Sequence, residues 1–283
     1  MQRLIKADCS ATSDAVSLWR ALLRVIAVLN LALWCTALVA VHRGWTGIHG
    51  QTDISTPLQL LLSAVYVIGC AYRSVLPVYD IPRIVLVDTR WSSVFVGRTI
   101  ATIAELCFAA QCALTLERVS MMDHSVFGHV AALMIVPLIV IAEVCSWYAV
   151  LTTAQLGHAI ENALWGLSAA LMVASLLMTG PYQHGELYLP VVAWCVLGAA
   201  YVLFMFWYDV PMYWSRWRAD LSTGRQYLSL AQGMADVARR RVVSRRWQDW
   251  KSEVLWMTLY FSIGVWGSLS MVYVSIALDA NGR

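Results

Sequence analysis

The stretch WSSVFVGRTIATIAELCFAAQCAL, residues 91–114, holds one arginine and one glutamate in an otherwise uncharged and largely apolar run. A helix of ~20 residues at ~1.5 Å each crosses the ~30 Å hydrocarbon core of a bilayer. Arg98 and Glu105 are seven residues apart, so on a helix they share one face, about 10 Å from each other along the axis. Ionisable groups at membrane depth are turned away from lipid and toward protein or water. A helix with both charges on one face therefore requires neighbouring helices to enclose them. This stretch points to an all-α, polytopic transmembrane bundle.

Six further runs meet the same criterion on either side of it. The expected spans are Leu18–Val41, Pro57–Leu76, Trp91–Leu116, Phe127–Leu151, Leu156–Met178, Tyr188–Trp207 and Val254–Leu278. The composition agrees: of 283 residues, 60% are hydrophobic and 13% charged, against about 25% charged in an ordinary soluble domain. The whole chain, 1–283, reads as one integral membrane domain. The mostly polar residues before the first run, and that run's length, mark a retained span rather than a cleaved signal.

Basic residues in the connecting segments set the expected orientation. Arg3, Lys6, Arg20 and Arg24 lie at the start of the first span, and Arg73, Arg83 and Arg90 follow the second. A group that includes Arg216, Arg239, Arg241, Arg246 and Lys251 follows the sixth. All fall on one side, against Arg43, Arg118 and Arg283 on the other. The bias places the N-terminus in the cytosol and the C-terminus outside. Segment 214–251, basic and carrying Trp214, Trp217, Trp247 and Trp250, reads as a cytosolic loop with a helix on the anionic leaflet. No nucleic-acid-binding surface is expected. Spans one to three do not resemble spans four to six in polar content, which argues against an inverted repeat.

Polar residues in the third, fourth and fifth spans supply the candidate site. Thr102 shares roughly the face of Arg98. Glu143 lies one turn from Ser146 and Trp147 on the fourth span. His158, Glu161 and Asn162 sit at i, i+3 and i+4 on the fifth. Counting the helical rise from the cytosolic ends places Arg98, Glu143, His158, Glu161 and Asn162 in one layer, with Glu105 deeper. One arginine cannot pair with three glutamates, and an uncompensated carboxylate would hold a proton and serve as a general acid.

Three chemistries fit these residues. Glu105, Glu143, His158 and Glu161 are candidate ligands for a divalent metal or a di-iron centre. Their spacing departs from the paired Glu-x-x-His of carboxylate-bridged bundles, since there is one His-x-x-Glu and no second histidine. The leading expectation is a membrane enzyme: Glu105 and Glu143 act as acid/base or ligand residues on a lipid or isoprenoid-like substrate entering from the bilayer, Arg98 orients an anionic group or sets a carboxylate pKa, and His158, Glu161 and Asn162 complete the cytosolic end of the pocket. Membrane lipids and an apolar or amphiphilic small molecule are the expected partners. The third chemistry is transport of a proton or small solute, and a non-catalytic receptor or scaffold is a further alternative. In the bland reading Arg98 neutralises Glu143 or Glu105, His158 and Glu161 face interfacial water, and the network only fixes helix packing. A polar path from the layer to the outer face past Gln111 would favour transport, whereas a closed outer half would favour an enzyme.

Several classes are excluded by what the spans lack. The only lysines are Lys6 and Lys251, so no span offers the Schiff-base lysine that retinal requires. The chain has no aspartate-rich prenyl-diphosphate motif, Gly-rich phosphate loop, GxSxG elbow or multi-histidine box. Its seven cysteines form no CxxC pair and mostly sit in apolar runs, as packing residues do.

Overall fold

The computed structural model describes residues 2–46, 54–178 and 188–281, with side chains described for 14–43, 54–178 and 188–280. Seven helical stretches are long and apolar enough to cross a membrane: Asp14–Arg43, Ser55–Val75, Val94–Met122, Val126–Thr152, Gln155–Met178, Tyr188–Ser222 and Trp247–Ala280. Each expected span falls on one of them. The helices are α1 (Gln2–Thr46), α2 (Ser55–Val75), α3 (Val94–Met122), α4 (Val126–Thr152), α5 (Gln155–Met178), α6 (Tyr188–Phe204), α7 (Val210–Ser222), α8 (Leu230–Arg239), α9 (Trp247–Leu259) and α10 (Val265–Asn281).

The sixth and seventh spans are longer than hydropathy suggests. A π-helical turn, Met205–Asp209, joins α6 to α7, and another, Tyr260–Gly264, joins α9 to α10. Arg216 and Arg218 lower the hydropathy of α7, but they do not break its helix.

Local chemistry sets the boundaries. Ser93 caps α3 by accepting from Val96 N at 3.3 Å, and Ser125 caps α4 by accepting from Gly128 N at 3.1 Å. Thr153, at φ 64°, ends α4 in the left-handed region, and α5 starts two residues later. The close α4–α5 hairpin needs Gly157, because a Cβ there would lie 2.5 Å from the Cys145 carbonyl oxygen and 2.8 Å from Ala149 Cβ.

Helices α1 to α6 pack each against the next, and α10 returns against α1, α2 and α3. Hydrophobic association does not distinguish lipid from protein here, so close packing must hold the helices together. Buried alanines at 101, 104, 109, 131, 132, 142 and 149 let α3 and α4 approach their neighbours. A second group, with Trp19, Leu23, Tyr66, Trp250 and Phe261, locks α1 and α2 to α9 and α10.

One end of the bundle, where Arg73, Arg83 and the arginines of 214–251 gather, carries a cap with no precedent in the hydropathy pattern. Strands β1 (Val78–Tyr79), β2 (Ile84–Val85) and β3 (Val242–Val243) form a sheet in the order β1-β2-β3, antiparallel then parallel. Arg83, also at positive φ, is buried beneath it. Its Nε donates to Asp236 Oδ2 at 2.9 Å, its Nη1 to the Asp80 carbonyl and its Nη2 to the Val150 carbonyl, both at 2.7 Å. Segment 214–251 thus contains the end of α7, all of α8, β3 and the start of α9. Helix α8 rests on the end of α4, where Gly233 is obligatory: a Cβ would meet the Leu151 carbonyl oxygen at 2.1 Å.

Candidate functional site

Helices α3, α4 and α5 converge below the cap on one guanidinium. Nη2 of Arg98 donates to Glu143 Oε2 at 2.8 Å, to Glu105 Oε2 at 3.2 Å and to Glu161 Oε1 at 3.2 Å. All four residues are buried. Oxygens of the three carboxylates lie within 4.8 Å of one another. Glu105 is therefore not below the layer, as counting the rise suggests. Helical side chains lean toward the start of their helix, and two long side chains close the two-turn separation from Arg98.

Each carboxylate has further contacts. The Thr102 hydroxyl donates to Glu143 Oε2 at 2.6 Å and accepts from Trp147 Nε1 at 3.0 Å. The Tyr260 hydroxyl donates to Glu105 Oε1 at 2.9 Å, and Arg73 Nη1 stands 3.9 Å from that same oxygen. His158 Nδ1 is hydrogen-bonded to Glu161 Oε2 at 2.7 Å. Asn162 does not join the guanidinium; its Nδ2 donates to Asp209 Oδ2 at 2.5 Å, in the π turn of the sixth span.

Of the six candidate residues, Arg98, Glu105, Glu143 and Glu161 thus meet directly, His158 attaches through Glu161, and Asn162 opens onto a neighbouring acid. Sequence reasoning missed Tyr260. A tyrosine in an apolar helix carries no charge signal, and its partner Glu105 is 155 residues away.

Some polar atoms in the cluster are left over. Among the described residues, Arg98 Nε, Glu143 Oε1 and the Ser146 hydroxyl are buried without a hydrogen-bond partner. An aromatic row borders the cluster. It runs from Trp165 to Phe108 (6.5 Å between centroids), Tyr66 (4.8 Å), Tyr260 (6.2 Å), Trp256 (5.9 Å) and Phe204 (6.0 Å). Surface depressions of about 430 and 310 Å³ lie elsewhere, one along Cys35, Val39 and Arg43 and one around Ser120, His124 and His129.

Two more polar layers follow along α2, α3 and α10. In the first, Gln59 and Gln111 embrace: Gln59 Nε2 donates to the Gln111 carbonyl at 3.0 Å, and Gln111 Nε2 to the Gln59 carbonyl at 3.1 Å. Gln59 Nε2 also reaches Thr115 Oγ1 at 2.9 Å, and the Ser268 hydroxyl meets Gln111 Oε1 at 2.6 Å and Ser63 Oγ at 3.3 Å. Both glutamines are fully buried, and Gln59 Oε1 has no partner among the described residues. In the last layer Arg118 pairs with Asp279 and, through Nη1, with Ser275 Oγ at 2.5 Å. The Thr56 hydroxyl lies 2.7 Å from Asp279 Oδ2. From Glu105 to Arg118 the three layers span ~20 Å of helix.

Other expected features have ordinary surroundings. His129 is exposed and bonded to Glu117 at 2.8 Å. The six cysteines with described side chains are free thiols. His49, His184 and Arg283 lie outside the described residues. Comparison with family models, curated proteins and solved structures found no match to this chain.

Proposed function

We propose that this chain is a proton-coupled membrane transporter, with the Glu105–Glu143–Glu161 cluster as its proton-holding centre on the cytosolic side. The carrying observation is the succession of polar layers past Gln111. It continues along α3 from the arginine-bridged carboxylates shared with α4 and α5, through the paired glutamines, to Arg118 and Asp279 shared with α10. A closed, apolar outer half would have left no such route. Tyr260 and Tyr66, with ring centroids 6.2 Å apart, stand between the first two layers and supply hydroxyls for proton exchange.

Charge balance favours this role. Glu105, Glu143 and Glu161 face two guanidiniums, Arg98 and Arg73, so the cluster approaches neutrality by taking up a proton. The site adjoins the basic end, and positive-inside bias assigns that end to the cytosol.

A pH-indicator assay tests the proposal. Purified protein in sealed vesicles should acidify or alkalinise the lumen under an imposed potassium-diffusion potential, and Glu105→Gln should abolish the response. A wild-type rate equal to that of protein-free vesicles refutes it.

The aromatic row favours a second reading, a membrane enzyme acting on a lipid or isoprenoid-like substrate. The row ends at Phe204 and Trp256, both exposed on the bundle's side, so an apolar chain in the bilayer would meet rings leading toward Glu105. Comparing the lipids of cells with and without the gene separates this reading from transport.

A further inference from the structure

The carboxylate cluster fits its guanidinium poorly. Arginine binds carboxylates best as a fork, two parallel N–H bonds to one carboxylate. Here three carboxylates crowd one nitrogen, which has only two hydrogens to offer three acceptors. Nε, also buried, donates to nothing among the described residues, and Glu143 Oε1 accepts from nothing. The convergence suits a point charge better than a planar fork. The oxygens approach Nη2 from three helices and lie within 4.8 Å of one another, and the unpartnered Ser146 hydroxyl stands one turn beyond Glu143.

We infer that Glu105, Glu143 and Glu161 form an exchangeable site for a hard divalent cation, in which the Arg98 guanidinium is a tethered occupant. All the donors are oxygens, the ligand class of Mg²⁺, Mn²⁺ and Ca²⁺. Cation–oxygen distances of about 2.0–2.6 Å require Glu143 Oε2, at 2.8 Å from Nη2, and the Glu105 and Glu161 oxygens, at 3.2 Å, to close in by up to about 1.2 Å. The displaced guanidinium would shift toward Asp80, the next carboxylate acting electrostatically on Arg98, in the β1–β2 turn of the cap. The membrane-buried cluster is then cationic at its centre in both states, first by the arginine and then by the ion. This goes beyond proton transport: cation entry and release would exchange against arginine movement.

Mn²⁺ titration of the detergent-solubilised full chain, read by electron paramagnetic resonance, tests the site. Arg98→Gln removes the occupant and should bind one Mn²⁺ per chain roughly tenfold or more tightly than wild type, as expected for removing a unit charge at contact distance. Adding Glu143→Gln to that variant should reverse the gain. Arg98→Lys retains a cation and should bind no more tightly than wild type. Equal affinity in wild type and Arg98→Gln, or a gain that Glu143→Gln leaves intact, overturns the inference.

Should Arg98→Gln fail to fold, wild type is titrated at millimolar Mn²⁺ beside Glu143→Gln; binding lost in the variant supports the site, and no binding, or equal binding, refutes it. Because the readout needs no proton gradient, it fails independently of the transport reading. Protein that binds Mn²⁺ yet moves no protons refutes transport alone.

Discussion

Arg98 Nη2 lies 2.8 Å from Glu143 Oε2, nearer than to the carboxylate of Glu105 on its own helix. The interhelical bond is the shorter one, so Arg98 serves first to join α3 to α4. Arg98→Ala would leave three carboxylates facing one another in a buried site. Breaking a buried charge network by removing one partner costs about 3–5 kcal/mol. The expected outcome is a large loss of folded protein, measured by thermal unfolding in detergent. Arg98→Lys should recover much of that loss, because one nitrogen makes all three contacts and an ammonium supplies three hydrogens to that position.

Tyr260→Phe removes the hydroxyl that donates to Glu105 Oε1 and keeps the ring that packs against Tyr66 and Trp256. A hydrogen bond to a charged group contributes about 1.5–3 kcal/mol, so stability should fall by no more than that. Proton flux in the vesicle assay should fall further than stability if Tyr260 links Glu105 to the glutamine layer. Flux unchanged in a folded variant removes Tyr260 from the route.

The reciprocal glutamines predict nearly additive substitutions, because each side-chain amide bonds the other residue's backbone carbonyl and not its side chain. Gln111→Leu takes a partner from the Gln59 carbonyl and the Ser268 hydroxyl, and Gln59→Leu takes one from the Gln111 carbonyl and the Thr115 hydroxyl. Each single change should destabilise by about 1–3 kcal/mol, the penalty for an unsatisfied buried polar group. The double change should cost about the sum, since both main-chain carbonyls remain after the side chains are gone. Unfolding midpoints of the four proteins decide this, and a double change that costs no more than one single change would refute it.

Gly233→Ala tests the cap. Alanine improves helix propensity by about 0.8–1 kcal/mol, but its Cβ would fall 2.1 Å from a backbone oxygen of Leu151. No rotamer relieves a clash with main chain, so the clash should prevail and α8 should lift from α4. Trypsin should then cut at Arg239–Arg241 roughly tenfold faster, as a ~1.4 kcal/mol shift in local opening implies. Arg83→Ala, which frees Asp236, should act in the same direction.

The spans were legible because apolar runs of membrane length announce themselves one residue at a time, and the arginine–glutamate face of α3 did the same for the site. Arg98, Glu105, Glu143 and Glu161 were found by charge alone. What sequence could not supply was the rotation of one helix against another. Asn162 shares a helix face with His158, yet it bonds to Asp209 because the sixth span presents an acid there. Gln59, Ser63, Thr115 and Ser268 are neutral and common in membrane helices, so only their mutual contacts make them a layer. The cap strands are two residues each, too short for any alternation to register.

The wide turns at 205–209 and 260–264 set where the side chains within them point. Each residue of an α-helix advances the face by 100°, and a π turn absorbs one extra residue without ending the helix or carrying that advance past the turn. Trimming a single residue from either turn would restore a regular helix with its far segment near its present phase, and would displace the residues of the turn itself. Asp209 and Tyr260 lie within these turns, so the irregularity and the alignment of the acids are one and the same feature.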